Sequence, residues 1–225
     1  MNVPVFVLNT CASTNDEAKK LAKIHNSAVV IADGQTNGRG RTGHEFFSPQ
    51  GKGLYMSVLL NITPKAAFEF KLTAAAAVAV VSALRKGGAK NPLIKWVNDV
   101  YENGKKVCGI LTEACENKVI VGIGVNTEEC EYPGELREKA GFCRLNITRA
   151  ELAKSITQEL FSLIKSGDFM EEYRENSMIL GKRIAFSENG AEYEGIAERI
   201  EDNGSLTVKG TFGEKTLTSG EIRLI

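Results

Sequence analysis

Gly38-Arg39-Gly40-Arg41-Thr42-Gly43 follows an apolar run at 28–32 and precedes Phe46-Phe47-Ser48-Pro49. Three glycines in six residues expose backbone amides, and two arginines add fixed positive charge. A guanidinium fork binds carboxylates and phosphates bidentately, so the segment fits an anion-binding loop at the end of a strand. A solvated surface loop fits it too. The spacing is neither G-x-G-x-x-G opening a helix nor G-x-x-x-x-G-K-S/T, which sets aside two common phosphate-binding architectures.

Working outward, the run at 28–32 is one of six apolar or β-branched stretches; the others are 3–8, 54–60, 93–97, 107–114 and 119–125. Ser13-Thr14-Asn15-Asp16-Glu17, followed by Ala18, Leu21, Ala22 and Ile24 at helical spacing, predicts a helix between the first two strands. Ser13 or Thr14 should cap it, and the early acids suit its positive end. A long helix over 65–86 carries a mostly small face, Phe68, Leu72, Ala75, Ala79, Ser82 and Ala83. Glu116-Asn117 reads as a tight hairpin. Thr148-x-x-Glu151 forms a capping box for a helix closed by Gly167, with a second helix expected over 168–178. Beyond Gly181, short strands at 183–186, 193–200, 205–208 and 215–218 alternate with Glu188-Asn-Gly, Asp202-Asn-Gly and Phe212-Gly. That texture predicts a small antiparallel barrel. The chain therefore divides into an α/β domain over 1–180 and a β module over 181–225.

Composition narrows the function classes. Of 225 residues, 43% are hydrophobic and 25% charged, which excludes a disordered or fibrous chain. Lys+Arg and Asp+Glu both number 28, so the basic balance expected of a duplex-DNA binder is missing. The five cysteines lack C-x-x-C spacing and accompany only two histidines, which points to a reduced, cytoplasmic protein without a structural metal site. The N-terminus carries no signal-peptide pattern, and the apolar stretch 74–83 is too short to span a bilayer.

Three further segments could carry chemistry. Lys95-Trp96-Val97-Asn98-Asp99 ends an apolar strand; Asn98 and Asp99 are poor strand formers and are expected to leave the sheet there. Lys106 opens the apolar strand Val107-Cys108-Gly109-Ile110-Leu111-Thr112-Glu113. Gly122-Ile123-Gly124-Val125-Asn126 alternates glycines, which weakens a strand unless something approaches its backbone closely. A turn, a solvated strand end and a ligand surface all remain open for these segments.

With Ser13-Thr14-Asn15 upstream, the four segments in this order resemble biotin protein ligase. The family pattern runs S-T-N, Q-x-x-G-R-G-R-x-G, S-P, K-W-P-N-D, K-x-x-G-I-L-x-E and G-x-G-x-N. Here it reads from Ser13, Gln35, Ser48, Lys95, Lys106 and Gly122, with Val97 in place of the usual proline and Phe46 where a tryptophan is common. The first departure should loosen a turn and the second should shrink the wall over the adenine.

The resemblance implies a class II aminoacyl-tRNA-synthetase-like mixed α/β sheet plus a Src-homology-3-like C-terminal barrel. It implies an ATP-dependent ligase that makes biotinyl-5'-AMP and passes biotin to a lysine of a biotin carboxyl carrier protein, of acetyl-CoA carboxylase or a related carboxylase. The implied catalytic residues are Lys106, Arg39, Arg41 and Asp99. Biotin would be held by Ser13, Thr14, Asn15, Gln35, Gly38, Arg39, Gly40, Arg41, Lys106 and Gly109. ATP would meet Arg41, Phe46, Lys95, Asn98, Asp99 and Asn126, with Mg²⁺ near Asp99. The resemblance also allows a homodimer. Because the first strand begins by Val3, no room is expected for the helix-turn-helix domain of repressor relatives. A lipoate-type acyl-protein ligase is the enzymatic alternative, although that neighbour lacks Gly-Arg-Gly-Arg. A non-catalytic anion- or nucleotide-binding module is the alternative from another class.

Overall fold

A strand that is apolar throughout needs cover on both faces, and β3 (Gly53–Leu60) is buried at all 8 positions. It lies inside a seven-stranded mixed sheet of order β1-β2-β3-β7-β6-β5-β4. The other strands are β1 (Val5–Cys11), β2 (Ala28–Gln35), β4 (Leu93–Lys95), β5 (Asp99–Glu102), β6 (Lys105–Cys115) and β7 (Lys118–Asn126). β1 and β2 run parallel, joined by helix α1 (Thr14–Leu21), and every other neighbour is antiparallel. The computed structural model describes residues 3–64 and 66–225, without the side chains of residues 42 and 66–70. Lys65, the expected start of the long helix, and the Phe68 side chain expected on its face therefore lie outside the described residues, as do Met1 and Asn2.

Alternation sorts the side chains into two layers. Val29, Val58, Val119 and Val121 face helices α2 (Ala66–Lys86) and α4 (Arg149–Ser166), whose Ala75, Ala79, Leu152 and Ile156 are fully buried in the same cluster. Val30, Leu59 and Ile120 face the other way, onto Ala18 and Ala22 of the α1 segment. Small side chains on α2 and the α1 segment let them lie close on the sheet. The capping box forms as read: Thr148 accepts from the Glu151 amide, the Glu151 carboxylate accepts from the Thr148 amide, and Gly167 closes α4 in the left-handed region. No described helix is long and apolar enough to cross a membrane.

Several boundaries differ from the sequence reading. Ser13 occupies the N-cap of α1 but makes no side-chain cap bond. Asp99 does not leave the sheet; it opens β5, paired with Lys95 on one side and Gly109 on the other. Trp96, Val97 and Asn98 make the tight turn between β4 and β5, with a cis Trp96–Val97 peptide. The turn is pinned despite the valine. Val97 is buried, its carbonyl accepts from Tyr173 Oη at 3.0 Å, and Trp96 Nε1 donates to the Gly204 carbonyl at 3.0 Å. A short helix α3 (Leu136–Lys139) precedes α4, and the helix expected over 168–178 contracts to α5 (Met170–Glu175).

The C-terminal strands β8 (Arg183–Glu188), β9 (Ala191–Ile200), β10 (Leu206–Gly210), β11 (Gly213–Leu217) and β12 (Ile222–Leu224) form a five-stranded antiparallel sheet of order β11-β10-β9-β8-β12. The meander's last strand returns beside its first, as a small barrel requires. Asn189 and Gly190 both adopt positive φ between paired Glu188 and Ala191, the two-residue turn that Asn-Gly favours. Ile184, Phe186, Ala197 and Leu206 join the same core cluster as α2 and α4.

Candidate active site

Cross-strand partners in a sheet share a face, and one row of partners defines the site. Lys95 pairs with Asp99, Asp99 with Gly109, Gly109 with Gly124, and Gly124 with Tyr55. The adjacent row brings Leu111 beside Gly122 and Gly122 beside Ser57. These rows lie on the α1 side of the sheet, next to that helix's N-terminus; Lys95, Asp99, Gly109, Gly124, Leu111 and Gly122 line a cavity of about 480 Å³, with Tyr55 and Ser57 buried behind them. Gly38–Phe46 arches over it as a small hairpin: Phe46 N donates to the Gly38 carbonyl and Gly40 N to the His44 carbonyl.

Lys106 reaches this face through a backbone irregularity. Tyr101 pairs with Lys106 but Val100 pairs with Cys108, so Val107 is an extra, unpaired residue on β6. The bulge leaves Val107 and Cys108 both in the core and turns Lys106 to the side of Asp99 and Gly109. Lys106 Nζ lies 2.8 Å from Asp99 Oδ1, an ion pair off-axis for a hydrogen bond. Burial holds the Lys95 ammonium below its ordinary range, with Asp99 opposing the effect. Asn98 is fixed by Nδ2 on the Ile110 carbonyl at 2.9 Å, and its Oδ1 accepts from Arg41 Nη1 at 3.3 Å.

The other end of the cavity is neutral and polar. Ser57 Oγ lies 2.6 Å from Asn15 Oδ1 and 2.8 Å from Thr14 Oγ1, and can donate to either. Gln35 Oε1 accepts from Thr14 N at 2.8 Å, Gln35 Nε2 donates to Ser48 Oγ, and Ser48 Oγ donates to the Phe46 carbonyl at 2.7 Å. The network thus runs from the start of α1 into the base of the loop.

Of the residues singled out from sequence, Ser13, Thr14, Asn15, Gln35, Arg39, Gly40, Arg41, Phe46, Lys95, Asn98, Asp99, Lys106 and Gly109 all line the cavity. Gly38 and Asn126 stand outside its lining. A Cβ on Gly38 would come within 2.4 Å of the Phe46 carbonyl, so glycine serves the hairpin's closure. Asn126 Nδ2 donates to the Gly141 carbonyl at 2.9 Å, tying down the segment that carries α3. The alternating glycines have a second explanation in the protein's own side chains: a Cβ on Gly122 would meet Asn15 Oδ1 at 2.3 Å, and one on Gly124 the Phe46 ring at 2.4 Å.

Sequence reasoning missed Ser57, Tyr101, His44 and Glu221. Gly220, Glu221 and Ile222 bring the C-terminal sheet into the cavity wall, where His44 Nε2 lies 3.2 Å from Glu221 Oε1. Among the described residues no group of three or more His, Cys, Asp or Glu side chains is placed to hold a metal ion.

Residues 7–127 match the Biotin/lipoate A/B protein ligase family. The bifunctional ligase/repressor BirA of Bacillus spizizenii is 33% identical over 233 residues, spanning 95% of this chain and 71% of that protein. The biotin–(acetyl-CoA-carboxylase) ligase of Paracoccus denitrificans is 32% identical over 93% of this chain and 96% of its own length. Among solved structures, biotin protein ligase from Aquifex aeolicus in complex with biotin and ATP superposes with a TM-score of 0.82 at 28% identity, covering 99% of this chain and 98% of that one. A fold that brings the glycine-arginine hairpin, Lys95–Asp99 and Lys106 to one cavity, matched by relatives over nearly the whole chain, places this protein in the Biotin/lipoate A/B protein ligase family, among the biotin protein ligases.

Proposed function

We propose that this chain is an ATP-dependent ligase that activates biotin as biotinyl-5'-AMP and transfers it to a lysine of a biotin carboxyl carrier protein. The carrying observation is the cavity's division. A satisfied neutral network suits an uncharged ureido ring, and a cluster of Lys95, Lys106 and Arg41 suits a carboxylate meeting a polyphosphate.

In the first step a biotin carboxylate oxygen attacks the α-phosphorus of ATP, the bond to the β-phosphate oxygen breaks, and pyrophosphate leaves. Two anions must approach, so charge neutralisation and alignment supply most of the catalysis. We assign Lys106 to the carboxylate and the new acyl-phosphate oxygen, Arg41 to the α-phosphate, and Lys95 and Asn98 to the remaining phosphates. In the second step the carrier amine attacks the acyl carbon, the acyl–oxygen bond breaks, and AMP leaves. Asp99 is the cavity carboxylate beside Lys106 and accepts the amine proton in this scheme. Magnesium enters with the nucleotide; hard cations are commonly held by substrate phosphates plus one or two carboxylates, a part Asp99 fits.

Ser13, Thr14, Asn15, Gln35 and the backbone at Gly40 and Gly109 belong to the biotin side in this assignment, with Phe46 between the two ends. Residues 1–180 form the catalytic unit, and 181–225 a second unit that closes the nucleotide end through Glu221. The proposal extends to cytoplasmic residence and a homodimer, the latter checked by sedimentation. Pyrophosphate release requiring both biotin and ATP, followed by biotin transfer to an isolated carrier domain of acetyl-CoA carboxylase, tests the function. Equal or better turnover with lipoate would move the chain to the lipoate-type ligases.

A further inference from the structure

Arg39 and Arg41 stand two residues apart in one hairpin, and the fold treats them differently. Arg39 donates Nη1 to Asp16 Oδ2 at 2.7 Å and Nη2 to Asp16 Oδ1 at 2.6 Å, a fork-on-carboxylate pair. Glu113 Oε2 lies 3.7 Å from the same guanidinium. Glu113 is itself held by Asn15 Nδ2 at 2.6 Å and Lys19 Nζ at 2.8 Å. Two cations, two carboxylates and a buried amide therefore close on one another across the hairpin, α1 and β6. The Arg39 hydrogen bonds hold the Asp16 carboxyl below its usual range against a modest burial effect. Arg41 has no ion pair among the described residues; its guanidinium donates instead to the neutral Asn98 amide.

We propose that Arg39 is a positioning residue, clamped by Asp16 and Glu113 to fix where the hairpin leaves the sheet, so that Arg41 is the guanidinium presented to the ligand. The inference rests on the ligase reading above and assigns different work to the two arginines of that site. A ligand carboxylate or phosphate reaching for Arg39 would have to displace a bidentate carboxylate already in place. Arg41 needs to give up a single long hydrogen bond to a neutral group. The clamp also explains why an acid follows Ser13-Thr14-Asn15: the first turn of α1 is where a carboxylate can meet the hairpin from below while favouring the helix's positive end.

Asp16→Asn and Arg39→Met, singly and together, test this. Each variant is measured for biotin KM and kcat in pyrophosphate release, for labelling of a bystander lysine-rich protein, and for Tm. The clamp predicts that both single variants raise biotin KM and bystander labelling by a similar factor, about five-fold for a pair of this exposure. The double variant should be no worse than either single one, and Asp16→Glu should recover most of the loss. Arg39→Met failing far beyond Asp16→Asn, or additive losses in the double variant, would place Arg39 on the ligand and overturn the proposal. Two silent single variants would overturn it as well. Failure of the unmodified protein to release pyrophosphate from biotin and ATP would strike the ligase reading instead, before any variant is compared.

Discussion

At one end of the cavity Ser57, Thr14 and Asn15 are at most 4% exposed and bonded to each other; at the other, Lys106 and Asp99 keep 33% and 20% of their side chains in solvent, and His44 and Glu221 keep 67% and 77%. The contrast follows from what each end must do. A buried hydroxyl or amide without a partner costs more than a made hydrogen bond gains. A neutral recognition surface is therefore stable when its members are partnered in advance. Charges that must meet a polyanion are better left near water, where a weak partner can be exchanged for a strong one. The cavity joins a rigid end to an exchangeable one.

The largest test removes the exchangeable end's central charge. Lys106→Ala should lower adenylate formation on the order of 10²–10³-fold, as loss of a preorganised oxyanion donor does, while thermal unfolding stays near that of the parent. Pyrophosphate release by the folded variant measures it; a parent-like rate would dissolve the contrast. Arg41→Gly should still make the adenylate but release it, since one charge-assisted contact of about 1.5–3 kcal/mol corresponds to roughly 10- to 150-fold faster escape. Bystander biotinylation no higher than the parent's would return Arg41 to the status of a solvated loop charge.

The rigid end should respond in stability before chemistry. Ser57→Ala leaves the buried Asn15 Oδ1 without its 2.6 Å donor and should cost about 1–3 kcal/mol, read by denaturant melts, with biotin KM rising and kcat following weakly. A loss confined to kcat would show that the network serves the chemical step. The smallest effect concerns pH. Because the folded Asp16 carboxyl sits below its usual range, the clamp's contribution is present above the unfolded pKa and fades as pH falls through the folded one. Protection of amides 38–46 from hydrogen exchange, corrected for intrinsic rates, should be flat from about pH 8 to 5 and drop only below about pH 4. A drop already complete well above pH 5 would remove Asp16 from control of the hairpin.

Much of this site was legible because its residues travel in short motifs whose spacing a loop or strand preserves. The glycine-arginine loop and the glycines of β7 fell where the runs of residues pointed, while the turn after Lys95 came at 96–98, earlier than Asn98-Asp99 suggested. What stayed hidden depends on partners distant in the chain. Ser57 sits inside an unbroken apolar run, and its partner Asn15 is 42 residues away, so no local pattern marks it. Glu221 enters from the C-terminal sheet, more than 170 positions beyond His44. Asp99 looked too polar for a strand because strand propensity reflects packing against neighbours; its neighbours here are Lys95, Lys106 and a glycine. Val97 was expected to slacken a turn that Tyr173 and Trp96 in fact tie down.

The bulge at Val107 carries one more consequence, for chain length rather than residue identity. In a regular strand, positions i and i+3 point to opposite faces. Lys106 and Gly109 share a face because one residue between them is surplus to the pairing. The two intervening positions of K-x-x-G are thus the written record of a backbone defect. Deleting Val107 would restore a regular ladder to Tyr101–Lys106 and Val100–Cys108 without moving Lys106 off the cavity face. Substituting Val107 by another apolar residue leaves the count intact, and so does exchanging Cys108. Moving the lysine to position 107 would swing its ammonium toward the α2 core, where a charge cannot be solvated. The motif tolerates another residue at 107 or 108, or loss of the surplus one, far better than a lysine placed at the surplus position.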